Sequence, residues 1–350
     1  MMAAQEEVKA QVVDQLRSLL PQTELLDLDT EGRFKDARFD LVAQVRVAGV
    51  ERTLLVEVKS SGQPRYLRQV IARFQEAGIS DANVHFLIAA PYISPRGMDV
   101  CREHDVGCVD LVGNVYLAFD SVYIERVVEE KPQRRKRWIK NLFAPVSSRI
   151  VRAMLEEPDQ AWRLTELAEA TDASLGQTYK VSEKLVDEDF ARKSTRDGLT
   201  LTDPAGLLDL WRQVYDVKEA NEIHSFHASE RDPERFMTQV QQAGERLGHR
   251  YAFTLHAGAS LVAPYVRFND LHFYVGTQMA AWVDELDLHT VEFGGNVHLL
   301  QPYDEGVFYR LRTPQGMAVV GNIQLYLDLY KYPARGREQA EFLREKEIGF

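Results

Sequence analysis

The chain of 350 residues has only two cysteines, no apolar run long enough to span a bilayer, no signal-peptide pattern, and no excess of positive charge. Each absence excludes something. The spacing of Cys101 and Cys108 matches no common zinc signature, which leaves them as reduced thiols, one or both buried, of a cytoplasmic protein. The missing apolar run and leader argue against a membrane or exported protein. A net charge of −11 rules out a chain that is basic all over, so any nucleic-acid contact has to come from a local patch. What remains is ordinary: 45% apolar and 27% charged residues, the composition of a soluble globular protein with two or three domains.

Within the first third, Asp40 and Glu57-Val58-Lys59 stand out. The segments 38–47 and 53–59 are rich in β-formers, and the short turn between them predicts a hairpin. With Gly49-Val50 as the turn, Asp40 faces Lys59 and Val42 faces Glu57. Residues two apart share a sheet face, so Asp40, Glu57 and Lys59 converge. Two carboxylates and the Val58 carbonyl are hard oxygen donors suited to Mg²⁺ or Mn²⁺, and Lys59 is placed to assist an attacking water. The plain alternative stays open: a solvated hairpin face, or a one-residue slip that turns the set away. The triplet resembles the metal-and-base set of PD-(D/E)xK nucleases. Residues 65–74 read as a following helix with Leu67, Val70, Ile71 and Phe74 inward, and the resemblance implies an auxiliary catalytic role for its Gln69. Strands at 83–90, 107–111 and 115–119 complete a small α/β unit.

The local patch exists. Residues 131–140 hold six cations (Lys131, Arg134, Arg135, Lys136, Arg137 and Lys140) and no acid. This basic linker suits phosphate contact, with Arg134, Arg135 and Arg137 foremost. After it, a helix capped by Ser147 or Ser148, a short strand at Trp162, a helix at 165–170 and a helix from Ser174 to Leu185 form a winged helix-turn-helix pattern. The last helix is expected to bury Leu175, Thr178 or Tyr179, Ser182 and Leu185. Its other face, with Ser174, Gln177, Thr178, Lys180, Val181 and Lys184 in or beside it, suits the major groove of double-stranded DNA. Asp197-Gly198 predicts a hairpin wing carrying Arg192, Lys193 and Arg196 toward phosphates.

Farther on, helices are expected at 211–220, 236–247, 323–330 and 337–346, with strands near 251–255, 271–275, 290–292 and 298–300. Gly258-Ala259-Ser260 is similar to the small-residue turn of nucleotidyltransferase folds. No paired Asp-x-Asp follows it, and Asp284 and Asp287 are three apart in an acidic turn, so the likeness is a fold echo without activity. Glu222, His224 and His227 read as surface groups in a short loop rather than metal ligands, and His256 as a polar pocket residue.

Several stretches together resemble the AbiEi-type antitoxins of type IV toxin–antitoxin systems: 110–114 (DLVGN), 141–145 (NLFAP), 147–152 (SSRIVR), 162–164 (WRL), 174–177 (SLGQ), 324–329 (QLYLDL) and Arg335-Gly336. That resemblance implies a transcriptional regulator that binds promoter DNA and partners a cognate toxin. The expected organisation is an α/β multidomain chain: a PD-(D/E)xK nuclease-like domain at 1–130, a basic linker at 131–146, a winged helix at 147–215, and a C-terminal α/β domain at 216–350. The leading function is a sequence-specific DNA-binding regulator, with a homodimer possible. The alternative is a Mg²⁺-dependent DNA endonuclease targeted by the winged helix, and a third reading makes the C-terminal domain a protein-docking module.

Overall fold

A computed structural model describes residues 9–14, 23–30, 32–47, 49–119, 122–128, 132–291 and 293–350. The chain divides into two compact units of mixed α/β structure: Met1–Arg137 with Leu185–Asp189, and Trp138–Lys184 with Phe190–Phe350. Among the described residues no helix is long and apolar enough to cross a membrane.

The first unit contains β1 (Thr23–Thr30), β2 (Arg33–Phe34), β3 (Ala37–Arg38), β4 (Leu41–Val47), β5 (Val50–Val58), β6 (Val84–Ala90), β7 (Gly107–Asp110), β8 (Val115–Phe119) and β9 (Val122–Arg126). Helices α1 (Pro64–Glu76) and α2 (Pro95–Glu103) connect its parallel strands β5, β6 and β7. The sheet order is β1-β4-β5-β6-β7-β8-β9, with antiparallel pairing outside that parallel core. Strand alternation sorts the side chains onto two faces. Leu54, Val56 and Val58 pack with Leu41, Ala43, Leu87 and Ala89 on one face. Leu55, Val42 and Ile88 pack on the other, against Leu67, Val70, Ile71 and Phe74 of α1 and Met98 and Cys101 of α2. Both cysteines are buried free thiols, and the Cys108 thiol is pushed up by its bond to Cys101 and by burial.

The β4–β5 register differs from the expected one. Leu41 pairs with Val56, Val42 with Leu55 and Val47 with Val50, so the turn lies one residue earlier than Gly49-Val50. Each partner moves by two residues, and a shift of two preserves the face. Gly49 has φ +81, the left-handed conformation that such a tight turn requires.

The stretch Asp110–Asn114 is a buried carboxylate turn. Asp110 Oδ1 accepts the N–H groups of Val112, Gly113 and Asn114 at 3.0, 2.8 and 2.9 Å. Its Oδ2 accepts Ile93 N–H at 2.8 Å and the Asn114 amide at 2.6 Å. Asn114 Oδ1 in turn accepts the N–H of Val128 at 2.7 Å.

In the second unit α3 (Gln133–Leu142), which begins in the first, is followed by α4 (Pro145–Glu156), α5 (Leu164–Ala170), α6 (Leu175–Asp187), and the hairpin β10 (Ala191–Ser194) and β11 (Gly198–Leu201). The segment expected as a basic linker is thus largely helical, with Ile139 and Leu142 buried. Neither Ser147 nor Ser148 caps α4. Ala144 takes that position and Pro145 the first turn, where its missing N–H costs nothing. Trp162 forms an isolated antiparallel bridge to Leu199 beside the hairpin.

Then come α7 (Pro204–Val214), α8 (Val217–Ala220), β12 (Glu222–His227), α9 (Pro233–Leu247), β13 (Tyr251–Phe253), α10 (Leu255–Val262), β14 (Leu271–Val275), α11 (Met279–Glu285), β15 (His289–Thr290), β16 (Val297–Gln301), α12 (Asn322–Tyr330) and α13 (Gly336–Leu343). The second sheet runs β13-β14-β16-β12-β15. The helix expected at 211–220 is broken at Tyr215, whose extended backbone sends its ring into the core. Glu222, His224 and His227 lie on a strand rather than in a loop, and Glu292 of the expected strand 290–292 lies outside the described residues.

A test of the first unit follows from Asp110. Asp110→Ala strands several buried N–H donors, so the first unit should lose about 3 kcal/mol or more. All four tryptophans, Trp138, Trp162, Trp211 and Trp282, belong to the second unit. Far-UV circular dichroism in urea should therefore show an earlier transition while the tryptophan-fluorescence midpoint stays in place. An unshifted dichroism curve would contradict this role.

Candidate functional site

Two places carry the residues singled out by the sequence. The first is the carboxyl end of β5. Asp40 immediately precedes β4 and accepts the Val58 N–H at Oδ2, 2.8 Å away. Its other oxygen lies 3.6 Å from Lys9 Nζ. Glu57, on the helix-packed face, is bonded to the Lys59 ammonium. Asp40, Glu57 and Lys59 are therefore brought to one corner, and each carboxylate already faces a lysine. Gln69 sits on the exposed side of α1. The cleft beside Glu57, about 180 Å³, is lined by Arg38, Phe39, Val70, Arg73 and Phe74 instead. Arg38 and Arg73 were not singled out from the sequence. Arg73 lies one helical turn after Gln69, so the same face carries both and only position decides which reaches the cleft. The oxygen donors Asp40, Glu57 and Val58 suit a hard divalent ion in kind. Among the described residues no group of three His, Cys, Asp or Glu side chains is arranged to hold a metal.

The second place is the face made by α6 and the β10–β11 hairpin. Helix α6 is rotated from the expected orientation. Thr178, Val181, Ser182 and Leu185 are buried, whereas Leu175 and Tyr179 are 52% and 50% exposed. Thr178 was expected to read bases and Val181 to be outward, and both are corrected. The reason is local. Thr178 Oγ1 donates to Ser174 O at 3.1 Å and Ser182 Oγ to Tyr179 O at 2.8 Å, so both hydroxyls are buried without an unmet bond. Ser174 caps the helix by accepting Gln177 N–H at 3.2 Å. The Gln177 amide turns inward and donates to Ser147 Oγ at 2.7 Å.

Lys180, exposed, and Lys184, half-buried, have no acidic partner among the described residues, and neither do the exposed Arg192 and Arg196. Partial burial, and then the neighbouring Lys180, hold the Lys184 ammonium below the usual lysine range. Lys193 sits 4.7 Å above the Tyr179 ring and 3.4 Å from Glu183. The hairpin closes through a three-residue loop, Thr195–Asp197, not at Asp197-Gly198 alone. Ser194 Oγ accepts the N–H groups of Arg196 and Asp197, and Gly198 takes φ +90. A Cβ at Gly198 would lie 2.5 Å from the Trp162 carbonyl oxygen.

In α3 the structure separates the expected phosphate contacts. Arg137 is exposed. Arg135 is nearly buried and ion-paired to Glu188. The side chain of Arg134 lies outside the described residues.

Behind this face is a buried polar network that the sequence reading did not assemble. Arg152 of α4 is fully buried and donates to Gln324 Oε1 and the Tyr303 hydroxyl, both at 2.7 Å. Its guanidinium lies 5.2 Å from the Trp211 ring. The Gln324 amide donates to Asp328 Oδ1 at 2.7 Å. Asp328 also accepts from Tyr215, Tyr274 and Thr254. Burial pushes the Asp328 carboxyl up to about 6, although these donors oppose the shift. The available signal was two polar residues four apart, Gln324 and Asp328, inside the apolar run of α12.

Residues 200–349 match the family model described as transcriptional regulator, AbiEi antitoxin, type IV TA system. No curated protein and no solved structure matches the chain. The matched span takes in β11, the second sheet, and the Gln324 and Asp328 half of the network, while Arg152 and α6 lie before it. Gly258 packs α10 against β13, where a Cβ would meet Phe253 O at 2.9 Å, so close packing is sufficient reason for its small side chain. Asp284 and Asp287 are exposed at the end of α11.

The raised Asp328 carboxyl sets a pH dependence. Because its folded value exceeds the ordinary 3.8, the native state keeps a proton that the unfolded chain releases. That stabilisation is present below pH 3.8 and is lost as pH rises through about 6. Relative to Asp328→Asn, the wild-type chain should therefore lose stability between pH 4 and 7, by roughly 3 kcal/mol at most. Urea midpoints followed by tryptophan fluorescence at several pH values measure it, and a constant difference would refute it.

Proposed function

We propose that the chain is a DNA-binding transcriptional regulator of the antitoxin type, and that α4, α5, α6 and the hairpin form a winged helix that grips duplex DNA. The observation that carries this reading is the set of cations without acidic partners among the described residues, Lys180 and Lys184 on α6 and Arg192 and Arg196 on the hairpin, in a chain whose net charge is −11. Lys180 and Lys184 repel each other, and a polyanion relieves that repulsion while releasing its own counterions. The family match over residues 200–349 supports regulation and a cognate toxin as partner. A homodimer would suit a two-fold symmetric operator.

Binding to a duplex from the chain's own promoter, followed by fluorescence anisotropy over a salt series, tests the reading. Arg192→Ala and Arg196→Ala should each weaken binding and lower the salt slope by about 1. Binding that ignores salt, or survives the joint replacement of all four cations by Glu, would sink it.

A second reading rests on the corner at β5. The first unit is a PD-(D/E)xK-type nuclease domain in which Asp40, Glu57 and the Val58 carbonyl hold Mg²⁺ or Mn²⁺ and Lys59 supports the attacking water. A bound ion would polarise the scissile phosphate and acidify that water. In this arrangement Arg73, rather than Gln69, stands beside Glu57 to hold substrate phosphate. Pure protein with Mg²⁺ or Mn²⁺ and linear, nicked or branched DNA should give cleavage that Lys59→Ala abolishes. Cleavage unaffected by Lys59→Ala would assign the activity elsewhere, and no cleavage of any substrate would retire this reading.

A further inference from the structure

Of the side chains of α6 and its cap expected to face the major groove, the fold withdraws three, Val181 among them. Thr178 is fully buried and Gln177 is bonded to Ser147. Ser174 and Lys180 remain outward, and between them stand Leu175 and Tyr179, half exposed and one helical turn apart. The other apolar side chains nearest them on the helix, Val181 and Leu185, are fully buried, so this exposed pair is not the edge of the core stripe. A Cβ added at Gly176 beside them would meet nothing within 4 Å, and its absence lets a partner approach the backbone more closely. The pair is framed by Lys180 on the helix and by Lys193 of β10, held over the Tyr179 ring at 4.7 Å.

Three occupants suit an apolar pair in principle. A second copy of this face would set Lys180 and Lys184 against themselves in a two-fold contact, which like charge opposes. A protein partner would have to match an apolar strip about 6 Å long bordered by Lys180 and Lys193. The major groove matches both: phosphates flank it on either side, and the thymine methyl is the apolar group it displays.

We propose that Leu175 and Tyr179 are specificity-determining residues that read thymine methyl groups in the major groove of the bound duplex. The two residues lie about 6 Å apart along the helix axis, close to two base-pair steps of about 3.4 Å, so the thymines read are near neighbours. The inference rests on the DNA-binding reading, and its test separates the two.

Duplexes enriched by the full-length chain from a randomised library are resynthesised with deoxyuridine in place of thymidine, one position at a time, and binding is measured at fixed salt. One or two adjacent positions should each cost about fourfold on loss of the methyl. Leu175→Ser and Tyr179→Ser should bind the thymidine duplex more weakly and lose the thymidine-over-deoxyuridine preference, with the salt slope unchanged and circular dichroism native. Equal binding of both duplexes by the wild-type chain overturns the inference while leaving DNA binding intact, as does a preference retained by both variants. A change in oligomeric mass in the two variants assigns the pair to self-association and overturns it as well. Failure to enrich any duplex overturns the DNA-binding reading and this inference together.

Discussion

A positive and a negative group buried in the same unit, with an amide between them, set the terms for the second unit. Arg152 can only donate and the ionised Asp328 can only accept, so Gln324 is held in one orientation, oxygen toward the guanidinium and nitrogen toward the carboxylate. Neither charged group tolerates loss of its neighbour cheaply, because each would be left in a medium that solvates it poorly. Helix α4 is thereby fastened to α12. Further bonds reinforce the join: Arg149 to Asp304, Glu157 to Arg310, and the Ile323 N–H to Glu156. The helix-and-hairpin segment and the second sheet consequently belong to one packed unit.

Much of the fold was legible because it rests on periodicity. Runs of β-formers located β4, β5, β6 and β8, and the helical stripe Leu67, Val70, Ile71 and Phe74 located α1. The site was legible in part. The Asp40, Glu57 and Lys59 corner survived a register error because the error was even. The face of α6 was misread at Leu175, expected inward, and Val181, expected outward, while Ser182, Leu185 and the Thr178 alternative are buried as expected. Two hydroxyls that bond to carbonyls of their own helix bury without penalty, and hydropathy does not register that. Glu188 lies 53 residues beyond Arg135, a separation at which no local pattern reveals an ion pair. The Arg152–Gln324 bond, across 172 residues, is of the same kind.

The stretches that carried the family resemblance turn out to be structural at their centre. Asp110–Asn114 is a carboxylate turn that closes the end of β7, and the runs around Arg152 and Gln324 supply the buried relay. What such stretches specify is largely a body, whereas Tyr179, Lys180, Arg192 and Arg196, exposed, lie outside them.

Adjoining residues of the hairpin have opposite tolerance for change. Gly198, directly after the loop, lies so close to the Trp162 carbonyl that any larger residue must displace backbone. At its tip, Thr195, Arg196 and Asp197 are exposed and touch no core. Substitution there can proceed without disturbing the rest of the molecule. Three loop residues are therefore open to exchange while the scaffold beneath them stays the same.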